Sequence, residues 1–463
     1  MVGQSFPEGG AMDPVSCVNP IYQGYLYNNR WAITDFWTRA NTLDAAIHFV
    51  NAAYSKWPAQ AQPWVDGMNA RLANAAQTED QFFQPMLDNV GVWDDDFAWC
   101  GLASLSAYDF LLANNLPGTG GYLRAPVYLN IAQTCWLRMV GTGYDLATEV
   151  MPVPHGCRNS SASAGSNPMG IKNTVTNAGF FLLSLRLYNT LKTVTPQKTA
   201  AAQGYLKMAY AQYEWFSRWF TEPNLSKYQY LKLVTFNKGV MGGLVNERPL
   251  PDGIYNSLDN PPYEPGCTWS GDQGLILAAL AGMLEIADEL ALYVQAHVDP
   301  TFDKTAFTTD VTTWIGQIAG GVQQLLVGTD GIVREAPFKA LMSNDPMTGF
   351  VFSKDYVSGR GVLLRCLALP EVKTALSAAG VSFDDTLNKT ANAVCASLQS
   401  GPANQVNVTF GVQDADFQAA FKSYWQFGDG PIGWTFDASQ SGLVGTIVQA
   451  VGLDAIGAAI PLQ

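Results

Sequence analysis

The sequence predicts an all-α protein that folds as one (α/α)6 toroid, a closed double ring of helices. Apolar residues recur every three or four positions along nearly the whole chain, as on one face of a helix. Alternating patterns typical of strands are scarce, and no Ser/Pro-rich linker divides the chain. About a dozen helices without a linker fit one ring better than two bundles. We therefore expect an N-terminal extension, residues 1–29, and one helical domain, residues 30–463.

Each predicted helix corresponds to one run of apolar residues with this spacing, which forms a stripe along one helix face. Leu43, Ile47, Val50 and Tyr54, for example, step by four, three and four positions along one helix face. Similar stripes predict helices near residues 30–55, 60–84, 95–115, 125–142, 173–193, 198–220, 272–296, 304–326, 356–368, 384–399, 414–424 and 438–452.

Strands and loops take up the rest of the chain. The best strand candidates are residues 331–335 and 405–412, and both are short. The longest loops, residues 152–171 and 237–268, are rich in Gly, Pro and Asn. We expect them to gather at one rim of the ring, because functional sites lie on loops that a rigid scaffold positions.

The amino-acid composition excludes some classes of protein and favours others. The chain has 463 residues, of which 14% are charged and 48% hydrophobic, so a disordered, highly charged chain is excluded. The 39 acidic and 26 basic residues give a net charge of −13, which repels phosphate backbones, and we expect no nucleic-acid partner. The 13 Trp and 19 Tyr residues suit a protein that stacks on sugars, although a large core also uses them.

Metal and membrane sites are not expected. The seven Cys are widely spaced without a CxxC pair, which indicates neither a zinc site nor a disulfide scaffold. Three scattered histidines, His48, His155 and His297, make a multi-His metal site improbable, and we expect no cofactor. The two most apolar stretches, residues 274–294 and 441–462, contain acidic residues and do not resemble membrane spans.

The most informative stretch is WDDDFAW, residues 93–99. Three consecutive acids repel one another, and one interpretation is capping, with Asp94 as the cap and Asp95 and Asp96 in the first helical turn. The other is catalytic. Carboxylates beside the aromatic walls Trp93 and Trp99 lose solvent, which raises one pKa and leaves one acid protonated beside an ionised neighbour. Glycoside hydrolysis needs that division of labour, and both interpretations are compatible.

With its surroundings, this stretch resembles glycoside hydrolase family 76, the endo-α-1,6-mannanases. That family carries Asp-Asp-x-(Ala/Gly)-Trp-Trp-Ala-Leu-Ala, and residues 95–103 are DDFAWCGLA, with Cys100 in place of the second Trp. Four further stretches resemble motifs of the family in the same order: WTRANTL at 37–43, YLNIA at 128–132, KNTVTNA at 172–178 and TWSGDQG at 268–274.

The resemblance implies an (α/α)6 barrel and a retaining mechanism, with Asp95 as nucleophile and Asp96 as acid/base. Retention requires carboxyl groups about 5–5.5 Å apart, a distance that neighbouring residues can reach. It also implies a poly- or oligosaccharide substrate and a secreted or periplasmic enzyme. We expect a monomer. The sequence departs from the family at Asp272, where the family has Asn, and in the loop after residue 153.

Nine further residues are candidates for binding substrate. Asn173 and Asn177, four positions apart, could bind sugar hydroxyls or cap a helix, and Trp93, Trp99 and Trp269 could stack on sugars or pack in the core. The candidates are Asn41, Trp93, Asp94, Asn173, Asn177, Trp269, Asp272, Gln273 and Tyr356.

Three other functions remain open at this point. The first is a toroidal glycosidase that acts on a different α-glycan, which the departure at Asp272 favours. The second is a glycan-binding protein without catalysis on the same scaffold, against which the intact Asp95–Asp96 pair argues. The third, a sugar epimerase, would use His as acid and base, and three scattered His disfavour it.

Overall fold

We describe the fold from a computed structural model. The residues that it describes are 36–74, 79–87, 91–114, 121–144, 156–159, 172–194, 199–221, 233–234, 243–245, 247, 269–333, 351–352, 354–396, 398–400, 419–421, 435–436 and 441–462. The predicted N-terminal extension and the predicted strand at 405–412 lie outside these residues.

Helices dominate the described part of the chain. The helices are α1 (Phe36–Lys56), α2 (Pro58–Asn69), α3 (Glu79–Leu87), α4 (Asp94–Ala113), α5 (Gly121–Thr142), α6 (Thr174–Val194), α7 (Thr199–Thr221), α8 (Ser270–Glu285), α9 (Ala287–His297), α10 (Lys304–Gly321), α11 (Lys354–Leu367), α12 (Pro370–Ala378), α13 (Asp384–Ala396) and α14 (Ser441–Ala459). The strands are β1 (Leu233–Val234), β2 (Leu244–Val245), β3 (Val351–Phe352), β4 (Leu398–Ser400), β5 (Ala419–Phe421) and β6 (Thr435–Phe436). β1 pairs with β2 and β4 with β5, both antiparallel, and β3 pairs with β6 in parallel.

Six helices form a closed inner ring. They contact one another in the order α1, α4, α6, α8, α11 and α14, and α14 packs back against α1. The intervening helices pack outside this ring: α5 on α4, α7 on α6, α10 and α12 on α8, and α13 on α14. This arrangement confirms the predicted (α/α)6 toroid.

The inner helices run parallel, so all of them begin at the same end of the ring. Between α1 and α4, the Phe36 ring lies 6.2 Å from the Phe97 ring, and Ser106 hydrogen-bonds Asp44 at 2.6 Å, so both helices advance together. Their first turns, with the loops that precede them, therefore form one rim. The candidate residues on α1, α4, α6 and α8 lie at that rim.

The ring wall is apolar and tightly packed. In α8 every residue from 270 to 283 is buried, as expected for a helix with protein on all sides. Glycine permits the close approach, because a Cβ on Gly274 would lie 2.8 Å from the Leu363 Cα atom of α11. The cysteines that the structure describes are all free and buried. None of the described helices combines the length and hydropathy that a membrane crossing requires.

Several predicted boundaries were wrong. The helix predicted at 414–424 is strand β5 over its described part, and β5 pairs with β4, which ends the preceding helix at Ala396 instead of residue 399. Short apolar runs are ambiguous between helix and strand, and the pairing partner decides. The helix predicted at 272–296 is broken at Ile286, between α8 and α9.

Two further differences lie on the outer layer. The helix predicted at 60–84 is divided, because α2 ends at Asn69 and a π-helical turn, Ala70–Asn74, follows. Helix α12 was not predicted. It begins with Pro370 at its first position, where the fixed φ of proline favours helix initiation and its missing N–H costs nothing.

Candidate active site

Buried charge is concentrated at the rim where the inner helices begin. Asp94 of α4, Lys172 before α6, Asp272 of α8 and Arg360 of α11 are each at most 1% exposed. Removing one ion from water costs several kcal/mol unless neighbouring groups compensate it. Buried charges gathered at one end of the ring indicate a functional site.

The three consecutive acids occupy the first turn of α4. Trp93, and not Asp94 as predicted, is the capping residue, with an extended backbone at φ −82° and ψ 159°. The Trp93 N–H donates to Oδ2 of Asp96 at 3.2 Å, which fixes one oxygen of that carboxylate. The positive end of the helix dipole stabilises all three negative charges here.

Asp94 turns into the protein, whereas Asp95 and Asp96 stay partly accessible. Asp94 is fully buried, and its Oδ1 accepts a hydrogen bond from the Thr142 hydroxyl at 2.5 Å, at the end of α5. Asp95 and Asp96 are half-buried. Of the three acids, these two can therefore reach a substrate, and Asp94 instead anchors the start of α4.

A substitution at Gly143 tests whether Asp94 anchors the start of α4. A Cβ at this position would lie 2.6 Å from both Oδ2 of Asp94 and Sγ of Cys157, so Gly143→Ala must displace one of them. We expect Gly143→Ala to lower any catalytic activity of the Asp95–Asp96 pair about tenfold or more, because the first turn of α4 shifts. The melting temperature should change little. Gly141→Ala is the matched control, since a Cβ there meets nothing within 4 Å. Equal activity of the two variants would contradict the role of Asp94 as an anchor.

Asn177 fastens the segment 156–158 against the start of α6. Its Oδ1 accepts the Cys157 N–H at 2.6 Å, and its Nδ2 donates to the Cys157 carbonyl at 2.8 Å. The Arg158 N–H also donates to the Gly143 carbonyl at 2.9 Å. This segment thus joins α5 to α6 beside the acids, and the amide of Asn177 is committed to the backbone.

Burial and nearby charges shift the pKa of the Cys157 thiol. Burial raises its pKa well above the usual value, and the carboxylates of Asp94 and Asp95 raise it further. Lys172 and Arg158 act in the opposite direction. The raised pKa keeps this thiol neutral near pH 7.

Two other candidates also hold loop segments at the rim. Asn173 donates from Nδ2 to Oε1 of Glu247 at 2.8 Å, and the other oxygen of Glu247 accepts the Val175 N–H at 3.1 Å. Gln273 accepts the Val245 N–H and donates to the Val245 carbonyl, both at 2.9 Å. The buried Glu247 was not predicted, because nothing in the loop sequence around it distinguishes it.

Of the three tryptophans considered for stacking on sugars, one side chain is exposed and two are buried. Trp93 is 44% exposed and can present a face to a sugar. Trp99 and Trp269 are buried, and their rings meet edge to face at 6.1 Å across the ring interior, between α4 and α8. Cβ atoms on Gly271 and Gly359 would lie 2.3 and 2.4 Å from the Trp269 side chain, so the indole is closely packed against both glycines.

The remaining candidates lie elsewhere on the rim. Asn41 accepts a hydrogen bond from Arg365 at 2.7 Å and lines a shallow cleft between α1, α11 and α14. Asp272 lies fully buried in the first turn of α8. Tyr356 lies in the first turn of α11, and its side chain is outside the described residues. Within the described part, no group of three or more His, Cys, Asp or Glu could hold a metal ion.

Comparison with known proteins gives structural similarity only. No family model and no curated protein match the chain. A family 76 glycoside hydrolase from a bovine Bacteroides thetaiotaomicron strain has 13% identity and a TM-score of 0.45, over 92% of this chain and 69% of that chain. A family 76 mannosidase of Bacteroides thetaiotaomicron has 13% identity and a TM-score of 0.44, over 92% and 87%. A family 88 glycosyl hydrolase from Bacteroides vulgatus has 12% identity and a TM-score of 0.43, over 97% and 98%.

Proposed function

We propose that this protein is a retaining glycoside hydrolase. The observation that carries the proposal is the pair Asp95 and Asp96, adjacent and half-buried in the first turn of α4, with the exposed Trp93 beside them. Two carboxylates in unlike surroundings can divide the roles of nucleophile and acid. Asp96 has one oxygen held by the Trp93 N–H, whereas Asp95 adjoins the fully buried Asp94, which accepts a hydrogen bond from the Thr142 hydroxyl.

The reaction proceeds in two steps. In the first, Asp95 attacks the anomeric carbon while Asp96 gives its proton to the leaving glycosidic oxygen, which forms a covalent glycosyl-enzyme. In the second, Asp96 accepts a proton from water, and the water oxygen attacks the anomeric carbon and releases Asp95. Two displacements at one carbon return the original configuration. The contact between Asp96 and the backbone keeps its carboxyl group at one place in both steps.

The substrate class that we propose is an α-linked, mannan-like polysaccharide or oligosaccharide. The exposed face of Trp93 suits stacking on a sugar ring, and the sequence motifs resemble those of α-1,6-mannanases. A polymer of this kind is met outside the cytoplasm, so a secreted or periplasmic location belongs to the proposal. A different α-glycan is the second candidate, because the sequence has Asp272 where the family that it resembles has Asn.

A glycan panel tests the proposal directly. The protein is incubated with linear α-1,6-mannan, branched α-mannan, α-glucans and α-galactans, and the released sugars are separated. The anomeric configuration of the first product is followed by NMR before mutarotation. We expect α-configured products from at least one glycan. Release of β-configured products would contradict retention, and no release from any glycan would favour a binding protein.

A further inference from the structure

Polar side chains meet inside the ring between α1, α11 and α14. Arg365 of α11 contacts Asp44 of α1 at 3.3 Å and Asp454 of α14 at 3.1 Å, and it donates to Oδ1 of Asn41 at 2.7 Å. All four side chains are buried. Because α14 lies between α11 and α1 in the ring, the bonds from α11 to α1 cross the ring interior.

The shallow cleft that Asn41 lines lies on the rim side of these bonds. Its walls include Trp37 of α1, Ser358 of α11 and Ala450 of α14. Each of them comes earlier on its helix than the charged residue that this helix contributes, and the inner helices all begin at the rim. The cleft is therefore situated between the charged side chains and the rim.

The acid pair lies on the helix next to this cleft. Trp99, four positions after Asp95 and so on the same face of α4, meets Trp269 across the ring interior at 6.1 Å. Helix α1 is the neighbour of α4, and their Phe36 and Phe97 rings lie 6.2 Å apart. Asp95 and the cleft are thus on neighbouring helices, and both face the ring interior.

The amide of Asn41 has one group to offer a ligand. Its Oδ1 accepts from Nη2 of Arg365, so its Nδ2 points the other way. Asn41 is 8% exposed, and among the described residues none accepts a hydrogen bond from this Nδ2. A largely buried donor without an acceptor is unfavourable and calls for a partner. The Thr42 hydroxyl is not available to a ligand in the same way, because it donates to the Thr38 carbonyl at 2.7 Å.

Two further groups complete the cleft. Trp37 is half-buried and lies four positions before Asn41, on the same face of α1. The Asp454 carboxylate accepts from Nη1 of Arg365 at 3.1 and 3.2 Å and keeps further lone pairs that can accept a hydroxyl proton. An amphipathic aromatic ring beside one fixed donor and one fixed acceptor suits a sugar, whose hydroxyl groups both donate and accept.

We propose that this cleft is a subsite for one neutral sugar of the glycan. The sugar ring lies against Trp37, and one of its hydroxyl groups enters the cleft, where it accepts from Nδ2 of Asn41 and donates to Asp454. The inference rests on the proposed glycosidase activity and names the place to which the substrate extends from Asp95.

Calorimetry with α-1,6-linked mannotetraose tests the subsite, in an Asp96→Asn background so that the probe stays intact. Asn41→Asp keeps an oxygen for Arg365 but removes the donor, and one hydroxyl proton cannot serve two carboxylates. We expect Kd to rise about three- to tenfold, the size of one neutral hydrogen bond. Asn114→Asp is the matched control, because that amide donates to the Phe110 carbonyl at the other end of α4, and Kd should not change.

A second variant changes the space and leaves the polar groups in place. Ala450→Leu adds bulk to the cleft wall and should also raise Kd, because the sugar hydroxyl can no longer enter. If melting curves show that Asn41→Asp does not fold, Ala450→Leu decides. An unchanged Kd in the folded variants overturns the subsite.

The subsite and the proposed function can fail separately. Glycan cleavage that is lost in Asp95→Asn supports the proposed function, whatever the cleft variants do. Isomaltotetraose, an α-1,6-linked glucan, is the second probe for the same comparison. Binding of neither tetrasaccharide overturns the subsite, whereas the proposed function falls only if no glycan of the panel is cleaved.

Discussion

We expect Asp95→Asn and Asp96→Asn each to abolish most of the proposed glycan turnover while the protein stays folded. Removing a general acid/base lowers the rate by about 10²- to 10⁴-fold, so we expect a loss of this size for Asp96→Asn. We expect a larger loss for Asp95→Asn, because no covalent intermediate can form without its carboxylate. Both residues are half-buried at the rim, and an amide of equal size replaces each, so melting temperatures should change little. Initial rates on the best glycan of the panel provide the measurement.

Asp109→Asn is the matched control, since Asp109 lies on the same helix, far from the rim, and pairs with Arg186 at 3.2 Å. Azide separates the two roles. With Asp95→Ala, azide should attack directly and give a β-glycosyl azide, whereas with Asp96→Ala and an activated substrate it should give the α-anomer. Retention of more than a tenth of wild-type activity in both asparagine variants would reject the carboxylate pair as the catalytic machinery.

The sequence was sufficient to predict the toroid, for a local reason, whereas the acid pair as the catalytic site stays a prediction. The apolar period of three and four predicts a helix wherever that helix packs on one side, as at Val311 and Ile315 of α10. The run at 94–96 stands out because like charges adjacent in sequence need compensation. Boundaries failed where a partner remote in sequence decided, as at β5, which pairs with β4.

The roles of the polar candidates could not be predicted in the same way. Asn177, Asn173 and Gln273 were predicted to bind substrate, and in the structure they hold other groups of the protein. Their amides hold backbone or carboxylate groups of Cys157, Val245 or Glu247, which lie 20 to 74 positions away in sequence. A partner at that separation leaves no periodic or motif signal. We propose that these three amides shape the cleft by fixing its loops.

Next to Asn41, a buried ion cluster joins three inner helices. Arg365 of α11 contacts Asp44 of α1 at 3.3 Å and Asp454 of α14 at 3.1 Å, and it donates to Oδ1 of Asn41 at 2.7 Å. All four side chains are buried. Burial raises the pKa of Asp454 to about 7, although Arg365 opposes the rise. For Asp44, Arg365 and His48 outweigh burial, and its pKa is lowered.

Arg365→Met therefore destabilises the fold by about 3–5 kcal/mol, because it leaves two carboxylates buried without their shared counter-charge. Urea unfolding at pH 7.5 measures this loss. Lys389→Met, which removes an exposed pair with Asp385, is the matched control and should cost less than about 1 kcal/mol.

The pH dependence distinguishes a lost charge from lost packing. Without Arg365, the folded-state pKa of Asp44 rises and that of Asp454, already raised to about 7, rises further, so the folded variant binds protons that its unfolded state has lost. Stability of the variant therefore increases relative to wild type as pH falls from 7.5 towards 5. A cavity in the packing would give the same deficit at both pH values. A constant deficit, or one as small as that of Lys389→Met, would show that Arg365 does not hold the three helices together through its charge.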